Sequence, residues 1–216
     1  MSTVTRRVGH FKGIHLAGPG QLHITQSDRE SLTIDAPKHM LPFIESTVEN
    51  GNLLLGYRSP KIVTLQNWRE QVIYHLTIVD ISAIVLSGSG SVLAPDLDTD
   101  EIELCNEGSG RVVIEELTAD SMASTISGSG EILVAGDIES QQLLISGSGT
   151  YDAEGLISDF VSLKISGSGS ATVAVQHDLD VVITGSGKVH YTGHPEITKQ
   201  ILGSGKITRM KRAKSQ

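Results

Sequence analysis

Apolar and polar residues alternate on both sides of a glycine-rich bend that recurs along most of the chain. Leu143 and Ile145 precede one bend by four and two positions, and Val112 and Ile114 follow another at the mirrored offsets. A period of two is typical of a β-strand with one buried face, whereas an amphipathic helix repeats its apolar positions every three to four residues. The pattern therefore predicts a strand on each side of each bend.

The bends share the tripeptide Gly-Ser-Gly, which occurs seven times, with first glycines 18 to 20 residues apart. Its glycines are Gly88, Gly90, Gly108, Gly110, Gly128, Gly130, Gly147, Gly149, Gly167, Gly169, Gly185, Gly187, Gly203 and Gly205. A period near 20 residues predicts a repeat architecture in which each unit buries its apolar face against its neighbours.

We therefore predict an all-β fold: a single-domain β-solenoid of 18–20-residue coils with a Gly-Ser-Gly at each corner. Each strand is expected to pair in parallel with the strand one coil away. Glycine suits the corners because it adopts backbone angles closed to other residues and lets corners stack without colliding Cβ atoms. Parallel crossovers favour a right-handed path, so a right-handed parallel β-helix is the expected form.

Three polar residues occupy positions that the alternation directs inward: Asn106, Ser124 and Lys199. We expect Asn106 to join a buried amide ladder, and Lys199 to lie in the last coil, where the stack opens. In contrast, Leu93, Val113 and Leu133 form an apolar stripe on the outer face of consecutive coils. Such a stripe predicts a cover, provided either by residues 30–75 or by a second subunit in a homo-oligomer.

The N-terminal third is less regular. Gly18-Pro19-Gly20 has the same apolar flanks as the later bends, which predicts a first coil. Ser31–Ala36 and Asn52–Tyr57 are predicted strands, and Asn50 with Gly51 is a turn signal.

Two further segments complete this region. Residues 42–49 are predicted to be helical or irregular, and residues 72–79 to form a strand leading into the repeats. No linker composition interrupts the chain, so we predict one continuous domain, 1–216. Its parts are N-terminal capping coils and irregular strands (1–80), regular repeats (81–208) and a basic tail (209–216).

Composition and charge exclude several classes of protein. The 216 residues have a net charge of −8, which argues against binding nucleic acid. No apolar run approaches the roughly 18 residues that a membrane helix requires. Cys105 is the single cysteine, so neither an internal disulfide nor a cysteine-based zinc site can form.

Motifs in the first 51 residues and in the repeats resemble those of a known family. They are Phe-Lys-Gly-Ile at 11–14, Gly-Pro-Gly at 18–20, Ile-Thr-Gln at 24–26, Ser-Leu-Thr-Ile at 31–34, Asn-Gly at 50–51, and the repeated Ile-Ser-Gly-Ser-Gly. Together they resemble the head GIN domain family of putative autotransporter adhesins. The resemblance covers roughly residues 8–208.

This resemblance implies a β-solenoid-like fold in a bacterial protein of the cell envelope or the extracellular space. It brings no catalytic or ligand residues, so none is transferred. Family members commonly begin with a signal peptide, but residues 1–11 contain no apolar core of that kind. Two alternatives follow: a trimmed signal, or a cytosolic member.

Several residue groups invite a chemical interpretation that their context disfavours. Residues 203–206 (Gly-Ser-Gly-Lys) lack the further glycine and the hydroxyl residue of a phosphate-binding loop. His190 and His194 have helical metal spacing in a segment that glycine and proline keep from being helical. Asp152 and Thr172 share an outward row with His190, but successive coils place the acid and the imidazole about 10 Å apart. We therefore predict no catalytic residue, no metal site and no cofactor.

The leading functional hypothesis is a non-catalytic envelope or surface protein that acts as an adhesin or as a binding or assembly module. The expected partner is a glycan or a surface protein, and Trp68, Tyr151 and Tyr191 are the candidate contact residues, although packing roles are the alternative for all three. One alternative function is a polysaccharide-active enzyme on a β-helix scaffold. Another is a purely structural, self-assembling protein.

Overall fold

The computed structural model of the chain describes residues 1–58 and 72–211. Within these residues the chain forms eighteen β-strands and no α-helix. All the strands belong to one sheet that winds through stacked coils. The predicted all-β solenoid is therefore confirmed.

Seven of these described strands lie in the N-terminal third. They are β1 (Ser2–Arg6), β2 (Gly13–Ala17), β3 (Gln21–Gln26), β4 (Ser31–Ala36), β5 (Ile44–Glu49), β6 (Asn52–Tyr57) and β7 (Ile73–Ile78). The strands predicted at 31–36 and 52–57 are confirmed. Residues 42–49, predicted to be helical or irregular, instead form β5 after a short 3-10 turn at Leu41–Phe43, and β5 pairs antiparallel with β6 around Asn50 and Gly51.

The repeats contribute eleven strands among the described residues. They are β8 (Ala83–Ser87), β9 (Ser91–Ala94), β10 (Leu97–Asp98), β11 (Glu101–Asn106), β12 (Arg111–Gly128), β13 (Glu131–Gly147), β14 (Thr150–Gly167), β15 (Ser170–Gly185), β16 (Lys188–Gly193), β17 (Glu196–Gly203) and β18 (Lys206–Arg209). The breaks between successive long strands fall at the Gly-Ser-Gly tripeptides. Each long strand therefore carries the chain from one tripeptide to the next.

Parallel register aligns equivalent residues of successive coils in columns. Ile126 pairs with Ile145, which pairs with Ile165, which pairs with Ile183. All four isoleucines are fully buried, as the alternation predicts. The core is thus a set of apolar columns along the stack, and the intervening positions form columns on the outside.

The order of coils in space differs from their order in the chain at the N-terminal end. Strands β2 and β3 stack directly on β8 and β9 of the first repeat. Strands β6 and β7 stack on the other side of β2 and β3. Strand β7, predicted to lead into the repeats, is thus separated from β9 by β3. Strand β4 then pairs antiparallel with β7, and β1 pairs antiparallel with β4.

Asn106 is fully buried, as predicted, but its hydrogen-bond partners are backbone groups. Its side-chain nitrogen donates hydrogen bonds to the carbonyl oxygens of Gly110 (2.8 Å) and Glu131 (3.2 Å). The predicted amide ladder is wrong because its register partners are Leu86 and Ile126, which offer no amide.

A chain of hydrogen bonds crosses the core between β13 and β14. The Tyr151 hydroxyl donates to Oε1 of Gln141 (2.7 Å), and Nε2 of Gln141 donates to the Ser158 hydroxyl (2.5 Å). The three residues are at most 1% exposed. Burial raises the pKa of Tyr151 far above its usual value, so the hydroxyl remains a neutral donor.

The glycine tripeptides of successive coils lie in direct backbone contact. The Ser109 amide donates to the Gly88 carbonyl oxygen (2.9 Å), and Ser129 donates to Gly108 (3.1 Å) in the next coil. A Cβ atom on Gly108 would collide with the Gly88 carbonyl oxygen, inside any allowed contact distance. The close approach therefore requires glycine at this position.

We expect Gly108→Ala to lower the free energy of unfolding by about 1–3 kcal/mol, because the added methyl group forces the stacked backbones apart. Gly9→Ala is the matched control, since no atom lies within 4 Å of the position that its methyl group would occupy. Chemical denaturation of both variants measures the difference. Equal stability of the two variants would contradict the stacking argument.

Tyr151→Phe should lower the free energy of unfolding by about 1–3 kcal/mol, because it leaves the Gln141 carbonyl oxygen buried without its donor. The half-buried Tyr191 provides the control, and Tyr191→Phe should change stability by less than about 0.5 kcal/mol. Denaturant titration reports both values. A loss at Tyr151 no larger than that at Tyr191 would show that the buried network contributes little.

Candidate ligand-binding groove

An open groove crosses four consecutive coils on one outer face of the solenoid. Two columns of outward residues line it. The first column consists of Ser140, Phe160, Asp178 and Glu196. The second consists of Gln142, Ser162, Asp180 and Thr198.

Strand alternation positions these side chains. Val161 lies between Phe160 and Ser162 and is buried, so its two neighbours point to the opposite, outer side. Parallel register then repeats this arrangement in the neighbouring coils. The groove is therefore built from equivalent positions of β13, β14, β15 and β17.

Phe160 is the aromatic residue of the groove, and 43% of it is exposed. The His177 ring stacks on it, with ring centroids 5.9 Å apart and planes inclined by 27°. His177 is held in turn by Asp159, with 3.1 Å between Nδ1 and Oδ1. These contacts orient the Phe160 ring before any ligand arrives.

The groove combines an aromatic surface with hydroxyl, amide and carboxylate groups. A sugar ring can stack its C–H face on such an aromatic ring while its hydroxyls bond to flanking polar groups. Asp178, Asp180 and Glu196 make the groove negatively charged. Anionic ligands are disfavoured there because like charges repel.

The aromatic residues proposed from the sequence do not form this groove. Tyr151 is fully buried in the core network, so its ring cannot contact a surface glycan and its candidate role was wrong. Tyr191 is half-buried and packs against the core at the C-terminal end. Trp68 lies outside the described residues. Phe160 was missed, although its place immediately before the inward Val161 marks it as outward.

The row of Asp152, Thr172 and His190 lies in three consecutive coils, as the register predicted. Among the described residues no hydrogen bond joins its members. Nor do residues 1–58 and 72–211 contain a group of three or more His, Cys, Asp or Glu side chains arranged to hold a metal ion. Within the described residues, the three side chains of the row therefore form neither a hydrogen-bonded catalytic group nor a metal site.

A second polar cluster lies on the outer face near Cys105. The Ser87 hydroxyl donates to Glu107 (2.9 Å) and contacts Nε2 of His15 (2.8 Å). The serine therefore lies between the two other side chains and donates its proton to the glutamate. A serine nucleophile instead needs the imidazole as its proton acceptor. Burial, with the nearby carboxylates of Glu107 and Glu103, raises the pKa of the Cys105 thiol and opposes a reactive thiolate.

The predicted outer stripe is present as a column of adjacent residues. Leu93 pairs with Val113, which pairs with Leu133, and all three side chains are half-buried. The latter two line an open depression next to Asp152. The column continues through His23 to His75 of β7, so β7 extends it at the end of the stack. Of the predicted cover, residues 59–71 lie outside the described residues.

The fold is shared with solved bacterial proteins. A putative adhesin from Bacteroides fragilis superimposes with a TM-score of 0.90 at 25% identity, over 97% of this chain and 96% of that one. A putative adhesin from Parabacteroides merdae gives 0.75 at 21% identity, over 97% and 95%. A putative lipid binding protein from Parabacteroides distasonis gives 0.78 at 22% identity, over 97% and 96%.

No curated protein matches the chain. Among the described residues no helix is long and apolar enough to span a membrane. A family model matches residues 10–195, which is most of the chain and includes the first coil, all but the last repeat and most of the groove. The chain thus belongs to the family described as putative auto-transporter adhesin, head GIN domain.

Proposed function

We propose that the protein is a non-catalytic binding module of the bacterial cell envelope or surface, and that it holds a neutral or cationic glycan in the groove centred on Phe160. One observation carries the proposal: an exposed phenylalanine, stacked against His177, lies in one of two adjacent columns whose other side chains are polar. Membership of a family of putative adhesins supports a binding role.

The rigidity of the surface supports binding without catalysis. Side chains on paired strands present a groove that needs no rearrangement to accept a ligand, which lowers the entropic cost of binding. The charge of the groove favours neutral or amino sugars over uronic acids. A polysaccharide-active enzyme for acidic glycans, the alternative weighed from the sequence, fits this negative groove poorly.

Self-association through the outer stripe is the second candidate. Leu93, Val113 and Leu133 place apolar side chains side by side in three consecutive coils, and such surfaces mark protein contacts. Sedimentation of the native chain and of Val113→Glu measures this directly. A native monomer at high concentration would eliminate the candidate.

We expect Phe160→Ala to weaken glycan binding about tenfold or more, because it removes the aromatic surface on which the sugar stacks. The probes are an array of neutral, amino and uronic-acid oligosaccharides, followed by titration calorimetry of the best ligand. Neutral or amino sugars should give the signals.

Phe43→Ala is the matched control, because Phe43 has a similar exposure (40%) but lies in the 3-10 turn, outside the groove. Thermal melting confirms that both variants fold. The proposal fails if the array is silent, if uronic acids bind best, or if the two variants weaken binding equally.

A further inference from the structure

The two ends of the solenoid differ in how their last strands pair. At the N-terminal end, β4 pairs antiparallel with β7, β1 with β4, and β5 with β6, so β1 and β5 are the edge strands there. At the C-terminal end, β17 and β18 pair with β15 and β16 on one side. No described strand pairs with their other side, so this edge presents free backbone donors and acceptors.

The C-terminal end also differs in charge from the body of the rod. Residues 80–187 contain 18 acidic and two basic residues. Residues 188–211 contain one acidic residue, Glu196, and five basic ones. These five are Lys188, Lys199, Lys206, Arg209 and Lys211. The free edge is therefore the basic part of an acidic protein.

Two of these cations occupy positions that belong to the core in the earlier coils. Lys199 is the register partner of the buried Val181, in a column that also contains the buried Leu163. Arg209 pairs with Tyr191, whose own partner Val173 is buried. Both cations are exposed here because no further described coil lies beyond them.

Apolar residues alternate with these cations. Ile197 and Ile201 flank Lys199 in β17, and Ile207 lies two positions before Arg209 in β18. Ile197 is 39% exposed, although its column is buried in the preceding coils. An open depression lined by Arg209, Met210 and Lys211 extends the basic surface beside β18.

This pattern disfavours a second copy of the chain as the occupant. Two C-terminal ends brought together would bury Lys199 and Arg209 against like charges, which is costly without a counter-ion. Cations on edge strands are a common protection against self-pairing. The N-terminal end offers no surplus of acid, since residues 1–58 contain five acidic and six basic residues.

We propose that this edge binds an extended acidic segment of another protein by strand addition. The segment would pair with β17, and its inward positions would place apolar residues over Ile197 and Ile201 and a carboxylate over Lys199. Backbone hydrogen bonds supply affinity in this mode of recognition, and alternate side chains supply specificity. The proposal is independent of the glycan groove, because it uses the inward positions and the backbone edge rather than Phe160.

The test uses the full chain and a fluorescent eight-residue peptide that matches the eight residues of β17, with valine at positions 2 and 6, glutamate at position 4 and threonine elsewhere. Fluorescence anisotropy should show saturable binding that weakens with salt. A peptide with lysine in place of glutamate should not bind. Hydrogen exchange should show new protection of alternate β17 amides when the acidic peptide is added.

Lys199→Glu should weaken binding of the acidic peptide about tenfold or more, since it reverses the charge that faces the peptide carboxylate. Lys164→Glu is the control, because Lys164 is exposed on the outer face of a middle coil. It should bind as the native chain does.

Several results would overturn the proposal. They are absence of binding, equal binding of the lysine peptide, equal loss in the Lys164→Glu control, and protection of the free β17 amides before peptide is added. Binding to vesicles of anionic phosphatidylglycerol without binding to the peptide would likewise overturn it in favour of a lipid surface.

Discussion

The structure depends on the direct contact between the backbones of successive glycine tripeptides. The Ser148 amide donates to the Gly128 carbonyl oxygen (2.9 Å), and Ser168 donates to Gly147 (2.9 Å). A methyl group on the first glycine of the tripeptide would collide with the carbonyl below it, and Gly128 and Gly147 also have positive φ. Side chains at these positions would separate the coils and weaken the parallel hydrogen bonds between them.

Because the contact recurs in every repeat, it keeps the coils in register. Inward columns can then be filled by similar apolar residues, as in the isoleucine column from Ile126 to Ile183. The same register aligns outward residues that are 18 to 20 positions apart in the chain. A binding surface such as the Phe160 groove is thus assembled from four coils, although no short sequence motif contains it.

The solenoid was predictable because two independent signals, the period of the glycines and the alternation of their flanks, indicate the same fold. The N-terminal order was not predictable from alternation alone. Strand β2 pairs with β6 along one edge and with β8 along the other. Which strand pairs with each edge depends on contacts between residues far apart in the chain. Likewise, β5 was missed because its short alternation becomes a strand only through pairing with β6.

The candidate site was predicted less well than the fold. Aromatic identity alone suggested Tyr151, which lies in the core, and passed over Phe160, which lies outside. The two residues differ because alternate positions of a strand point to opposite faces. Tyr151 shares its column with the buried Ile132 and Ala171. Phe160 shares its column with the outward Ser140 and Asp178. Counting positions from the nearest Gly-Ser-Gly assigns each residue to an inward or an outward column. This count places Tyr151 inside and Phe160 outside from the sequence alone.

The register also connects the groove to the free edge, because both use β17. Its outward residues Glu196 and Thr198 line the groove, and the next inward position, Lys199, belongs to the edge. As the terminal strand pairs on one side among the described residues, β17 is held by half of the backbone contacts available to an interior strand. A partner strand would complete those contacts through the free edge of β17 and would cover its inward positions. Because alternate residues of a strand point to opposite faces, Glu196 and Thr198 would keep their places in the groove, and ligands at the two sites would not compete.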